Sequence, residues 1–210
     1  MCWNAEVSLN TFLFSMFVLL LIIYNNAYTQ YKIQSLNDIW VYLFLASFIF
    51  IQLIEYFIWK NIDNYIFSFI KDLLILSQPF FSLMLLPNIS LRNKLLSGYL
   101  VYFLFKLFLV FKFYFVYKKS PIKISKKKHL EWSKPYKFYD WLSTIIWLFF
   151  FLFSFFYKDY WWIFAIFTLV LSYYNYLNDN SFNSMWCWMA NTSMIFWAGY
   201  LLFYLPFIQK

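Results

Sequence analysis

The sequence predicts an all-α polytopic membrane protein, a bundle of about seven transmembrane helices. Three observations carry that expectation. Of 210 residues, 64% are apolar and 29% aromatic, with a mean hydropathy of +0.61. Only 12% are charged, where a soluble domain keeps about a quarter, so lipid has to replace the missing polar surface. The chain also divides into runs of about 20 mostly apolar residues, the length that spans a bilayer core. These runs are 7–24, 38–59, 65–86, 95–116, 140–157, 160–177 and 184–205.

Turn-forming clusters separate the runs: Asn25-Asn26, Asn61 to Asn64, Pro87-Asn88 and Asn178 to Asn180. The whole chain, 1–210, therefore reads as a single transmembrane domain. With two glycines there is no Gly-xxx-Gly seam, so packing is expected from Ser, Ala and interlocking rings. No Lys or Arg precedes the first apolar run, so a cleavable secretory signal is not expected.

Taken in order, six of the runs carry a polar stripe at helical spacing, the mark of a face turned toward other helices. The first shows Ser8, Thr11 and Ser15, and the second Gln52, Glu55 and Trp59. The third shows Ser68, Lys71, Gln78 and Ser82, with Asp72 beside Lys71. Starting the third helix after Asp72 leaves too short a span, so residues 65–72 must be helical and partly immersed. The fifth run has Asp140, Ser143 and Trp147, and the sixth Thr168, Ser172, Asn175 and Asp179. The seventh has Ser184, Cys187 and Asn191. Hydroxyls can serve their own helix backbone alone, but that reading does not cover Glu55, Lys71, Asp72 or Gln78. Leu-Pro closes both the third and the seventh run, which admits a 3+1+3 arrangement of parallel repeats.

Lysine counts set the orientation. The segment 117–138 holds Lys118, Lys119, Lys123, Lys126, Lys127, Lys128, Lys134 and Lys137. The positive-inside rule then puts this loop and the N-terminus in the cytoplasm and the C-terminus outside. Lys118, Lys119, Lys123, Lys126, Lys127 and Lys128 are expected to contact anionic phospholipid headgroups, each contributing about 1 kcal/mol. No folded basic domain accompanies them, so nucleic acid is not an expected partner.

Charge at depth marks the candidate binding or translocation residues: Gln52, Glu55, Asp72, Gln78, Lys106, Asn175 and Asn191. An ionised side chain in hydrocarbon costs roughly 3 kcal/mol or more, so it faces protein, water or a counter-ion. At 1.5 Å per residue, Glu55 lies about 6 Å, Asp72 about 10 Å and Lys106 about 15 Å from the basic face. Lys106 is thereby a candidate partner for either carboxylate. Glu55 is expected to face the bundle interior, while Lys71 and Lys112 are expected to snorkel outward. Pro79 should leave a backbone carbonyl without its helical partner beside the Gln78 amide, a corner for a solute or a plain structural kink.

Cys2, His129, Glu131 and Cys187 all approach the basic face, and such side chains suit zinc or copper. Alternatives are a solvated His129 and, were that face lumenal, a Cys2–Cys187 bridge. A retinal protein needs a lysine inside its last helix, and a multi-histidine hydrolase needs more than the one His present; neither fits. There is no P-loop and no potassium-filter motif.

The opening Met1-Cys2-Trp3-Asn4-Ala5 resembles the Met-Cys-Trp-Ser-Ala start of an uncharacterised family of small multipass membrane proteins found in bacteria and large DNA viruses. Glu55 in its context, Gln78-Pro79-Phe80-Phe81, His129-Leu130-Glu131-Trp132, and Asn183 with Trp186-Cys187 resemble that family's further signatures in the same order. Asn4 departs from the usual Ser. The resemblance implies that Cys2, Glu55, Gln78, His129 and Cys187 belong to one site, and it brings no assigned activity.

The sequence thus supports three readings. One is a channel or transporter for a small polar solute or ion. The others are a membrane-embedded metal enzyme acting through His129 and Glu131, and a structural or assembly protein of a cellular or viral membrane.

Overall fold

A computed structural model describes residues 4–132, 140–157 and 161–208. Cys2, Lys134 and Lys137 lie outside the described residues. Seven helices follow the apolar runs. They are α1 (Ala5–Tyr28), α2 (Ile39–Lys60), α3 (Tyr65–Met84), α4 (Ile89–Tyr117), α5 (Asp140–Phe153), α6 (Trp161–Tyr176) and α7 (Phe182–Asn191). A 3-10 turn, Ser154–Tyr157, extends α5. Ser193–Gly199, a π turn at Tyr200–Tyr204 and Leu205–Ile208 extend α7. Five of the runs, Phe182–Ile208 among them, are long and apolar enough to cross a membrane.

Asparagine and aspartate start the helices where the sequence breaks. The side chains of Asn4, Asp38, Asn64 and Asn88 each accept a backbone N–H in the first turn of α1, α2, α3 and α4. This satisfies donors that a helix leaves open.

The third helix is the hub. It packs on α2, α4 and α5, while α2 also packs on α1 and α7, and α6 on α7. Serines and aromatic rings make the seams. Ser82 Oγ donates to Phe151 O at 2.6 Å and meets Ser154 Oγ at 2.5 Å, joining α3 to α5. Phe151 is 1% exposed and stacks on Trp147 with ring centroids 4.8 Å apart. It also meets the rings of Phe44, Phe48, Phe155 and Trp186.

The basic segment is more than a loop. Its first part folds into a hairpin of β1 (Ile122–Ile124) and β2 (Leu130–Trp132), paired antiparallel with Lys123 opposite Glu131. Ser125 N–H donates to His129 O at 2.8 Å and Lys128 N–H to Ser125 O at 3.0 Å. With Lys128 at φ 62°, this is a type I turn completed by a left-handed residue. Strand alternation puts Leu130 and Trp132 on the inner face, where they join Ile122, Ile51, Ile58 and Cys187 in one buried cluster. Glu131 and Lys123 fall on the other face. The connections 61–64, 117–132 and 177–181 thus share one end of the bundle, the basic face.

Phe151→Ala should lower stability by about 3 kcal/mol, since five aromatic neighbours lose contacts around a cavity that helices cannot easily refill. Equilibrium unfolding in detergent or bicelles reads this directly, with Phe151→Leu giving the smaller loss.

Candidate functional site

The polar stripes turn inward. Ser8, Ser15, Gln52, Glu55, Ser68, Lys71, Gln78, Ser82, Thr168, Ser172, Ser184, Cys187 and Asn191 are all buried. Asn175 departs from this set: it is exposed, and its Nδ2 donates to Leu171 O of its own helix at 2.8 Å. The reason is that α6 has a narrow seam, burying only Ala165, Thr168 and Ser172. Asn191 is structural in position, its Nδ2 donating to Cys187 O at 2.9 Å and across to Phe48 O of α2 at 3.3 Å.

The centre of the site is Lys71. Snorkelling was the expectation, but Lys71 is 2% exposed. Its Nζ lies 3.0 Å from Asp72 Oδ1 and 4.8 Å from the centroid of the Trp132 ring. The hairpin folds over this end of α3, so Trp132 closes the route by which the ammonium would reach water. A cation held over an indole face and against a carboxylate replaces much of its lost hydration. Tyr114 Oη of α4 donates to the other Asp72 oxygen at 2.7 Å. Asp72 is thus engaged by Lys71 and Tyr114. Lys106, expected to serve the carboxylates, lies 6.0 Å from the Tyr102 ring centroid.

These groups border a cavity of about 160 Å³ between α3, α4, α5 and α7, roofed by Trp132. Lys71, Asp72, Gln78, Lys106, Ser143, Thr144 and Asn183 are among the polar residues of its wall. Gln78 is 1% exposed, and its Nε2 has no hydrogen-bond partner. Trp132 Nε1 is buried without a partner too. An unmatched buried donor costs about 1–3 kcal/mol.

Pro79 behaves in part as expected. It lacks an N–H, which frees the carbonyl of Ile75 four residues back. That carbonyl accepts from Trp147 Nε1 of α5 at 2.9 Å, so it is not a solute-binding corner. The carbonyl of Leu76 accepts from Tyr99 of α4. The proline thus frees one α3 carbonyl for α5, and Gln78 beside it is among the residues of the cavity wall.

Glu55 is fully buried on α2, within electrostatic range of Cys187, as is Lys71. Gln52, one turn earlier, is fully buried with neither amide atom hydrogen-bonded. Among the described residues no three of His, Cys, Asp and Glu gather as metal ligands. The strand alternation explains the separation of Glu131 from Cys187, and Cys2 lies outside the described residues.

His129 is held at the hairpin turn instead, 6% exposed, with its ring edge-on to Tyr176 at 5.4 Å. Asp179, which follows α6, latches the turn. It accepts from Ser125 Oγ at 2.5 Å, Lys127 N–H at 3.2 Å and Ser181 Oγ at 2.9 Å. Ser184 Oγ donates to Leu130 O at 2.9 Å from the start of α7. The latch was invisible as such in the sequence, where Asp179 read as one member of the α6 stripe. Burial alone would raise the Asp179 pKa, but these hydrogen bonds and nearby His129 hold it below its ordinary 3.8. For His129, burial and then Lys127 outweigh the pull of Asp179 and lower its pKa from 6.5.

No protein family, curated protein or solved structure compared with this chain matches it.

Acid should release the hairpin. Both folded pKa values lie below their ordinary ones, so a released hairpin binds protons first. Docking is at full strength above pH 6.5, weakens as His129 is protonated through its lowered value, and weakens again below 3.8 as Asp179 takes a proton. The protection factors of the amides of Ser125, Lys127 and His129, taken against intrinsic exchange at each pH, should fall over those windows. Asp179→Asn should lower them at neutral pH and flatten the acidic branch.

Proposed function

We propose that this is an integral membrane transporter that takes a small polar or ionic group into the cavity of its bundle. The observation that supports this most directly is the cavity wall, where a buried Lys71–Asp72 pair stands together with Gln78, Lys106 and Asn183 around open space. Packing alone gives no reason to line such a space with ionic and amide side chains, since buried polar groups are costly unless matched. A ligand that fills the space resolves the conflict.

The roof favours carrier over open pore. Leu130 and Trp132 close the basic end, and the Asp179 latch is the point at which that end can open. The six lysines Lys118, Lys119, Lys123, Lys126, Lys127 and Lys128 are all exposed, which supports contact with anionic headgroups of the cytoplasmic leaflet and, with it, an outside C-terminus. Glu55 and Gln52 are buried on α2 outside the cavity lining, with Cys187 between Glu55 and the cavity.

Liposome flux tests the proposal, with protons, alkali and divalent cations, and small carboxylates followed separately. Glu55→Gln and Gln78→Leu should each change at least one flux several-fold. Indifference of every flux to both substitutions would overturn it.

A further inference from the structure

The charged side chains of the cavity wall differ in how much of themselves they offer to it. Lys71 and Asp72 lie side by side, yet the Lys71 side chain is 3% exposed and that of Asp72 is 18% exposed. The ammonium of Lys71 is turned to Asp72 and to the Trp132 ring, so the member of the pair left accessible is the carboxylate. Lys106, half-buried on α4, lines the same space. Asn183 near the start of α7 and Ser143 and Thr144 on α5 are half-buried there too. Much of the remaining wall is apolar, with Ile75, Leu76, Val110 and Leu169 among its residues.

Resting on the reading of the cavity as a binding site, we infer that its ligand is a zwitterion with an apolar side group, in chemical class a small aliphatic α-amino acid. The two accessible charges decide the class. A lone anion placed in the cavity would lie against the Asp72 carboxylate, and a lone cation against the Lys106 ammonium. A molecule carrying both charges meets an opposite partner at each end. Asp72 keeps acceptor capacity for this. Lys71 engages one of its oxygens and Tyr114 the other, and a carboxylate offers about four lone-pair sites. An ammonium has three N–H donors, so Lys106 can hold a neighbour and still receive the ligand's carboxylate. Asn183, Ser143 and Thr144 donate or accept, and so serve either end.

Position and size agree with this. Counted along their helices, Asp72 and Lys106 stand at levels about 5 Å apart. A short zwitterion with a hydrogen bond of about 2.8 Å at each end covers that step. The cavity of about 160 Å³ is close to the size, about 150 Å³, that takes a benzene ring. That leaves room for a branched aliphatic side group, for which Ile75, Leu76, Val110 and Leu169 supply the apolar contacts.

Radiolabelled L-valine binding to the protein in nanodiscs tests this, with unlabelled valine, 3-methylbutanoate, isobutylamine and glycine as competitors. The second and third of these are valine without its ammonium and valine without its carboxylate. Saturable binding of valine is expected, with each of the other three competing at least about tenfold less well. Lys106→Met should weaken valine binding by a similar factor while isobutylamine gains on it, because the repelling ammonium is gone. Weakening of both alike would give Lys106 a structural role only and overturn the inference. The competitor series on the unaltered chain decides it should that variant fold poorly. 3-Methylbutanoate competing as well as valine would overturn it, since Asp72 would not be reading an ammonium. Isobutylamine competing as well would overturn it through Lys106, and glycine through the apolar wall. Absence of saturable valine binding ends the amino-acid reading, and a flux that still responds to Gln78→Leu would leave the transporter standing without it.

Discussion

The structure depends on keeping one ammonium group, that of Lys71, inside a bundle whose other contacts are mostly rings and aliphatic chains. An isolated charge in such a place is costly enough to drive rearrangement or neutralisation. Here three elements are arranged around it. Asp72 on the same helix supplies the counter-charge at 3.0 Å, Tyr114 on α4 holds that carboxylate at 2.7 Å, and Trp132 on the hairpin presents its ring face. The position of α4 against α3, and of the hairpin over both, is thereby tied to one side chain. A buried pair of this kind is weak support for stability as such, but removing one partner strands the other at roughly 3–5 kcal/mol. The cavity lies where the pair leaves space beside it.

Directional bonds do the same work along the rest of α3. Between helices in lipid, apolar burial offers little drive, because acyl chains are as apolar as leucine. Association then relies on close packing and on polar contacts that only one arrangement satisfies. Pro79 contributes by what it lacks: the freed Ile75 carbonyl is taken by Trp147 of α5, and the adjacent Leu76 carbonyl by Tyr99 of α4. Ser82 adds a second link to α5 through Phe151 and Ser154. With only two glycines in the chain, small hydroxyls and interlocking rings replace the usual small-residue seam.

The hairpin connects the basic surface to the cavity roof. Its outer face and turn carry exposed lysines, its inner face carries Leu130 and Trp132, and Asp179 fastens the turn between them. The exposed lysines are thereby linked, through one short strand pair, to the residue lying over Lys71. The left-handed Lys128 that closes the turn is conformationally unfavourable by about 1–2 kcal/mol for a residue with a Cβ, and the latch offsets it.

The seven helical runs, the turn clusters that separate several of them and the inward side of most were legible in the sequence alone. Periodicity and capping are properties of one helix and its own neighbours, so they are legible without tertiary contacts. The burial of Glu55, Gln52 and Gln78 followed from the same stripes. Whether Lys71 reaches water, who takes the Ile75 carbonyl and why Asn175 is left outside were settled only when the helices packed. Each of these depends on residues far apart in the chain: Trp132 over Lys71, Trp147 under Pro79, the narrow α6 seam. A stripe says that a face is turned inward. Which groups meet on that face is set by how the helices cross, and no local pattern encodes the crossing.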